Sequence, residues 1–348
     1  MPEPLADLAI PTVTFPGTDL VTTTLGFGCA GLYAEPSRAQ RTRVLEAAYD
    51  AGVRHFDTAP MYGLGLAERD LGRFARSRRD QVVLATKFGI APRLALWPLA
   101  HAQGPFRRLL RASPALKRRA LKSAKGPSSG RAGSLLYRTT GFDAAAARAG
   151  LEHSLRELDT DYIDLLLLHD PEPGSVGSDD ASGFLEDARR SGKIRAWGIA
   201  GEAASSIAVA ATLPVRPPVL QIRDDILASS GLGSHAAADQ GRITFGVLGA
   251  TSEIVSYVGA DPARSRRWHE VVGVNCTDAE VVAGLLLGAA ARRNPAGVVL
   301  FTTTRMSHAR LSAEAPRAAA DGYRDLDAFM ALLGGELCRH LPNRGAPG

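Results

Sequence analysis

The chain has little cysteine and no long apolar run, and each shortage removes a class of function. Its 348 residues include three cysteines, Cys29, Cys276 and Cys338, which form neither a C-x-x-C pair nor an even framework. A disulfide scaffold is thereby excluded, and a reducing compartment, by default the cytoplasm, is the expected setting. Apolar residues make up 45% of the chain, yet the longest stretch, VVAGLLLGAAA (281 to 291), ends at Arg292 and Arg293. It falls short of the roughly 18 residues that would suggest a membrane span. The N-terminal stretch MPEPLADLAIPTVTF lacks a basic region followed by an apolar one, so no secretory signal is read there. Eight scattered histidines offer no metal-ligand spacing, and no metal is expected. Finally, no Asp or Glu occurs from Gln81 to Phe142.

That acid-free region holds an insertion, residues 88 to 142. It carries Arg93, Arg107, Arg108, Arg111, Lys117, Arg118, Arg119, Lys122, Lys125, Arg131 and Arg138, a concentration of charge that outweighs the net +5 of the whole chain. Two readings stand. One is a solvated loop, since Gly, Ser and Pro fill 126 to 134. The other is a basic lid that draws in an anionic substrate. Nucleic acid is disfavoured, because aromatic interleaving and a known reader motif are both missing.

Apart from the insertion, strand-like and helix-like segments alternate. Eight short apolar runs rich in β-branched residues read as strands: 25 to 29, 53 to 57, 82 to 86, 163 to 169, 194 to 200, 219 to 222, 242 to 247 and 297 to 302. Helical stretches such as 37 to 52, 144 to 159 and 179 to 192 lie between them. Repeated β–α units give parallel strands with right-handed crossovers, and eight close an α/β barrel of the (β/α)8 TIM type. Ahead of the first strand, PTVTFPGTDLVTTT places a Pro-Gly turn between β-branched runs, which predicts an N-terminal β-hairpin under the barrel. One barrel domain spanning residues 1 to 348 is the expected organisation.

Four reactive side chains stand at or just past strand ends: Asp57 and Tyr62 in RHFDTAPMYG, Lys87 in VVLATKFG and His169 in IDLLLLHD. In such a barrel that is the face where chemistry occurs. Taken singly, each has an ordinary structural explanation: a turn cap for Asp57, rim packing for Tyr62, a satisfied core imidazole for His169. A lysine closing a buried strand, however, needs a partner, and Asp57 is the obvious one. An acid, a phenol, an amine and an imidazole together suit proton transfer to or from a carbonyl group.

These residues sit in the segments 51 to 72, 83 to 89 and 158 to 169; through these and the segment 192 to 200 the chain resembles the aldo-keto reductase family from about Leu25 to about Ala320. YGLGLAERDLG is similar to the branch holding aldose and pyridoxal dehydrogenases. The resemblance implies a catalytic Asp57, Tyr62, Lys87 and His169, a small carbonyl or alcohol substrate, and a nicotinamide cofactor, NADPH with NADH as the alternative. The activity it implies is reduction of an aldehyde or ketone with Tyr62 as proton donor. Oxidation of a sugar-like alcohol, and a cofactor-binding barrel with weak catalysis, are the alternatives. For the cofactor it points to Gln221, Leu248, Thr302, Thr303, Thr304, Arg305 and Arg310, with Ser307 as an N-cap. This sequence also departs from the family. Ala200 and Gly201 stand where many relatives have Ser-Asn against the nicotinamide carboxamide, and Asp224 stands where an aromatic often stacks.

Overall fold

The computed structural model describes residues 10–93, 136–176, 181–227, 239–320 and 326–337. A hairpin of β1 (Thr12–Thr14) and β2 (Val21–Thr23) comes first, in antiparallel register with Thr12 opposite Thr23. The barrel then begins with β3 (Leu25–Gly28), α1 (Arg38–Asp50), β4 (His55–Asp57), α2 (Ala67–Ala75) and β5 (Val83–Phe88). Short strands β6 (Ile90–Pro92) and β7 (Tyr137–Thr139) pair antiparallel at the base of the insertion. The remaining nine basic residues of that insertion fall in 94 to 135, outside the described residues, whereas Arg93 and Arg138 fall within them.

The alternation resumes with α3 (Ala144–Leu158), β8 (Ile163–His169), α4 (Ala181–Arg190), β9 (Ile194–Gly201), α5 (Ala203–Thr212), β10 (Val219–Arg223) and β11 (Gly241–Phe245). Three helices, α6 (Thr251–Gly259), α7 (Pro262–Val272) and α8 (Ala279–Arg293), fill the long interval before β12 (Val298–Phe301). Last come α9 (Met306–Ala320) and α10 (Leu326–Leu332). The eight parallel strands close in the order β10-β11-β12-β3-β4-β5-β8-β9, and all eight coincide with the runs expected from sequence. The apolar stretch 281 to 291 is the buried body of α8. Among the described residues no helix is long and apolar enough to cross a membrane.

Period-two alternation sorts each strand into an inner and an outer face. The inner set, including Val83, Ala85, Leu165, Leu167, Ala196, Val219, Ile243, Val298 and Leu300, fills the barrel, and Phe15 and Leu20 of the hairpin join it from below. Gly241 makes room for that floor, because a Cβ there would lie 2.7 Å from the Phe15 ring. The outer set packs against the helices in a larger cluster. Burying such residues contributes about 1.5–3 kcal/mol each. Leu326 and Phe329 of α10 are buried, with the Phe329 ring edge-on to Trp268 of α7, so this segment covers the barrel's side.

Candidate active site

Asp57 ends β4, Lys87 is the penultimate residue of β5, and His169 ends β8, all at the C-terminal mouth of the barrel. Lys87 is 1% exposed, a position no ammonium tolerates without partners. It has them. The Nζ lies 2.7 Å from each Asp57 carboxylate oxygen, donates to the Thr58 carbonyl at 2.9 Å, and sits over the Tyr62 ring. Burial alone would push the Lys87 pKa down. Asp57 and Tyr62 overcome it and hold the ammonium above its ordinary range.

Tyr62 opens a short turn, Tyr62–Leu64, whose backbone is left-handed at Gly63 (φ 61°) and Leu64 (φ 56°) and again at Gly65 (φ 94°). Gly63 is required twice over, since a Cβ there would also lie 2.5 Å from the Tyr33 ring. Tyr33 in turn donates to Asp70 at 2.7 Å, and Arg41 and Arg73 pair with the same carboxylate. The Lys87 ammonium sits 5.1 Å from the centre of the Tyr62 ring, and the His169 ring meets it edge-on at 5.9 Å. Burial raises the Tyr62 pKa, and Lys87 opposes the rise. His169 is pushed well below the ordinary imidazole range by burial and by the Lys87 charge, so it is neutral at pH 7. Its Nδ1 is buried with no hydrogen-bond partner among the described residues.

Gln221 reaches into the same space from β10. It hydrogen-bonds Asp57 and leaves its own Oε1 buried and unsatisfied. An acceptor held in that state fits an amide N–H, so this chain keeps one suitable contact for a nicotinamide carboxamide. Ala200 and Gly201, at the end of β9, supply no polar side chain there. Leu248 lies in the turn Val247–Ala250 after β11, and Thr302, Thr303, Thr304 and Arg305 link β12 to α9. These rims are consecutive in the barrel, so Gln221, Leu248 and the 302–305 segment trace one arc. Asp57, Lys87 and His169 trace the opposite arc.

Two expectations need correction. Ser307 is not a cap, because α9 already begins at Met306; it is Thr303 Oγ1 that accepts from the Arg305 N–H, at 3.1 Å. Asp224 does not stand in for a stacking aromatic. Alternation puts Gln221 and Arg223 on one face of the strand and Asp224 on the other, where it is buried and paired with Arg293 of α8 at 2.8 Å. The aromatic at the mouth is Phe245, which packs on the inner cluster, with Arg223 over its ring at 5.1 Å. GFGCAG (26 to 31) has the spacing of a dinucleotide fingerprint, yet its first and last glycines serve packing. Added Cβ atoms would strike Leu300 and His55 from Gly26, and Thr302 from Gly31.

Sequence reading passed over two further residues. Asp170 follows His169 in a left-handed conformation (φ 49°), with its half-exposed carboxylate 3.9 Å from His169 Nε2. Glu68 of α2 is 1% exposed behind β5, where it accepts from Thr86 Oγ1 at 2.7 Å. Burial pushes its carboxyl up to about 7. A motif could not mark either, because Asp170 is distinguished by its backbone and Glu68 by its burial.

Comparison with known proteins agrees with this geometry. Residues 24–252 match the model of the aldo/keto reductase family. D-threo-aldose 1-dehydrogenase of a Pseudomonas species is 37% identical over 184 residues, half of this chain and 49% of that protein. Pyridoxal 4-dehydrogenase of Microbacterium luteolum is 48% identical over 75 residues, 21% of this chain and 22% of that one. The chain thus spans about half the length of the first relative and about a fifth of the second. In fold it is similar to the crystal structure of an aldo-keto reductase from Klebsiella pneumoniae in complex with NADPH, with a TM-score of 0.62 at 18% identity over 98% of this chain and all of the other. With the family model covering most of the barrel, the chain belongs to the aldo/keto reductase family.

Proposed function

We propose that this protein is an NADP(H)-dependent oxidoreductase that interconverts a small aldehyde or ketone and its alcohol, with Tyr62 as proton donor. The observation that carries this reading is the partnered Lys87, buried against Asp57 and beside Tyr62. Nicotinamide, when bound, supplies the hydride in reduction and takes it in oxidation. With the Lys87 ammonium beside its ring, Tyr62 keeps its phenolic proton for the substrate. Tyr62 transfers that proton to the carbonyl oxygen, and the Lys87 ammonium stabilises the phenolate left behind. Asp57 keeps Lys87 charged and oriented. Neutral His169 donates to the same carbonyl oxygen and positions it.

Gln221 is the residue suited to the carboxamide, and Leu248 and the segment 302–305 would line the rest of the arc. Arg305 and Arg310 are exposed at the start of the 15-residue helix α9, where a phosphate is well placed, which favours NADPH over NADH. A raised Tyr62 pKa keeps the phenol protonated at neutral pH and so supports the reductive direction. Similarity to D-threo-aldose 1-dehydrogenase supports a second reading, oxidation of an aldose. The buried thiols of Cys29 and Cys276 suit a reducing, cytoplasmic setting.

The test is a fluorescence titration with NADPH and NADH, followed by carbonyl reduction with the wild type and Tyr62→Phe. NADPH should bind more tightly, and Tyr62→Phe should bind it equally well while turnover falls about 10² to 10⁴-fold. Undiminished turnover in Tyr62→Phe would remove the proposed proton donor.

A further inference from the structure

Beside the four residues already assigned, Asp170 is a charged group next to His169. Its Oδ2 lies 3.9 Å from His169 Nε2, the nitrogen left to donate to the carbonyl oxygen in the reading above, and its carboxylate is half-exposed. Among the described residues no side-chain or backbone donor satisfies that carboxylate. The backbone is held left-handed at φ 49°, a conformation that Asp tolerates better than most residues but that still has to be maintained by its surroundings. Gly201 contributes to that. A Cβ at position 201 would lie 2.8 Å from Asp170 Oδ1, so a side chain there would push the carboxylate aside. The glycine that removes a polar side chain from the end of β9 therefore admits another from β8.

The charges around Asp170 limit what it can bind. Glu202 adds a second carboxylate, and Arg223 is committed to Glu202 at 2.6 Å. Burial and Glu202 push the Asp170 carboxyl up, while Lys87 and Arg223 pull it back, and the half-exposed group keeps an open face. An acceptor without a donor, one neighbour away from the carbonyl-binding imidazole, matches a substrate hydroxyl one carbon from the carbonyl. It opposes a carboxylate at the same place.

Resting on the oxidoreductase reading above, we propose that Asp170 is a specificity-determining residue that accepts a hydrogen bond from the α-hydroxyl of a hydroxy-aldehyde or sugar-like substrate and rejects α-carboxylates. A hydrogen bond to a charged group of this kind is worth roughly tenfold or more in transition-state binding.

The experiment compares kcat/KM for lactaldehyde, propanal and glyoxylate with NADPH in the wild type, Asp170→Gly, Asp170→Asn and Gly201→Ala. Glycine and asparagine both accept the left-handed backbone, so neither change need disturb His169. Wild type should prefer lactaldehyde to propanal. The preference should fall roughly tenfold in Asp170→Gly, with part of it retained in Asp170→Asn. Gly201→Ala, by displacing the carboxylate, should lose it too. Glyoxylate should be the poorest substrate of the wild type and improve in Asp170→Asn. As a readout independent of turnover, calorimetric titration of the NADP⁺-saturated protein with xylitol should show binding that weakens by a similar factor in Asp170→Gly. Equal efficiencies for lactaldehyde and propanal in the wild type, or equal losses on both in the variants, would overturn the assignment and leave the oxidoreductase reading standing. If the wild type reduces no aldehyde and binds no NADPH, that reading falls and this one with it.

Discussion

Glu68→Gln should stabilise the protein increasingly as the pH rises. The wild-type carboxyl is 1% exposed, between α2, β5 and α3, and burial outweighs the hydrogen bond from Thr86 to lift its pKa from 4.5 to about 7. A folded-state pKa raised above the unfolded one means that folding favours the protonated acid. The associated stability is complete below about pH 4.5, declines through the interval, and is gone above about pH 7. At 1.36 kcal/mol per pKa unit the loss amounts to about 3 kcal/mol. Glutamine has the same shape, keeps an acceptor for Thr86, and never ionises. The assay is urea unfolding of both proteins from pH 5 to 8. The two midpoints should nearly coincide at the acid end and separate by about 1 M at the alkaline end, for a slope of about 3 kcal/mol/M. Titrating groups distant from Glu68 are shared and cancel in the comparison; His153, 3.8 Å from the carboxylate, is controlled by repeating it in a His153→Gln background. A separation that does not change with pH, or one in which the wild type gains as pH rises, would refute the reasoning.

Lys87→Met should abolish turnover and also leave Asp57 buried without its cation, at a cost of about 3–5 kcal/mol seen in the unfolding midpoint; adding Asp57→Asn should restore part of that stability and none of the activity. Gly72→Ala would place a Cβ 2.3 Å from the Leu158 carbonyl, between α2 and the end of α3. Backbone cannot yield as a side-chain tip does, so a loss of about 1–3 kcal/mol in a thermal melt is expected. Because His169 is held neutral by burial and Lys87, kcat/KM for reduction should be flat from about pH 5.5 to 8. An acid limb in that range that vanishes in His169→Gln would contradict its neutral state.

The barrel was legible because strand burial leaves a direct trace. Runs such as IDLLLLH and VVLAT are apolar on both faces, as only a strand covered inside and out needs to be, and all eight reappear as barrel strands. The meeting of Asp57, Tyr62, Lys87 and His169 was legible for a related reason, since a lysine or histidine closing such a run has no ordinary place to go. Reading faltered where orientation depends on counting to a strand's last residue. Asp224 and Arg223 exchange roles with a shift of one position, and only the register Arg223 opposite Phe245 decides which of them faces the mouth. Ser307 misled because a helix start was inferred from residue type, whereas the chain turns into α9 one residue earlier. Glu68 was hidden altogether. Within LAERDLG it reads as a surface helix residue, and its burial depends on α3, some eighty residues further along the chain.

The hairpin floor has a consequence for stability. Phe15 and Leu20 are continuous with the side chains that fill the barrel, so loosening the hairpin would cost core packing rather than open a second way in to Lys87, Tyr62 and His169. A pair of side chains on the far side of the molecule from the chemistry thus belongs to the same core that supports it.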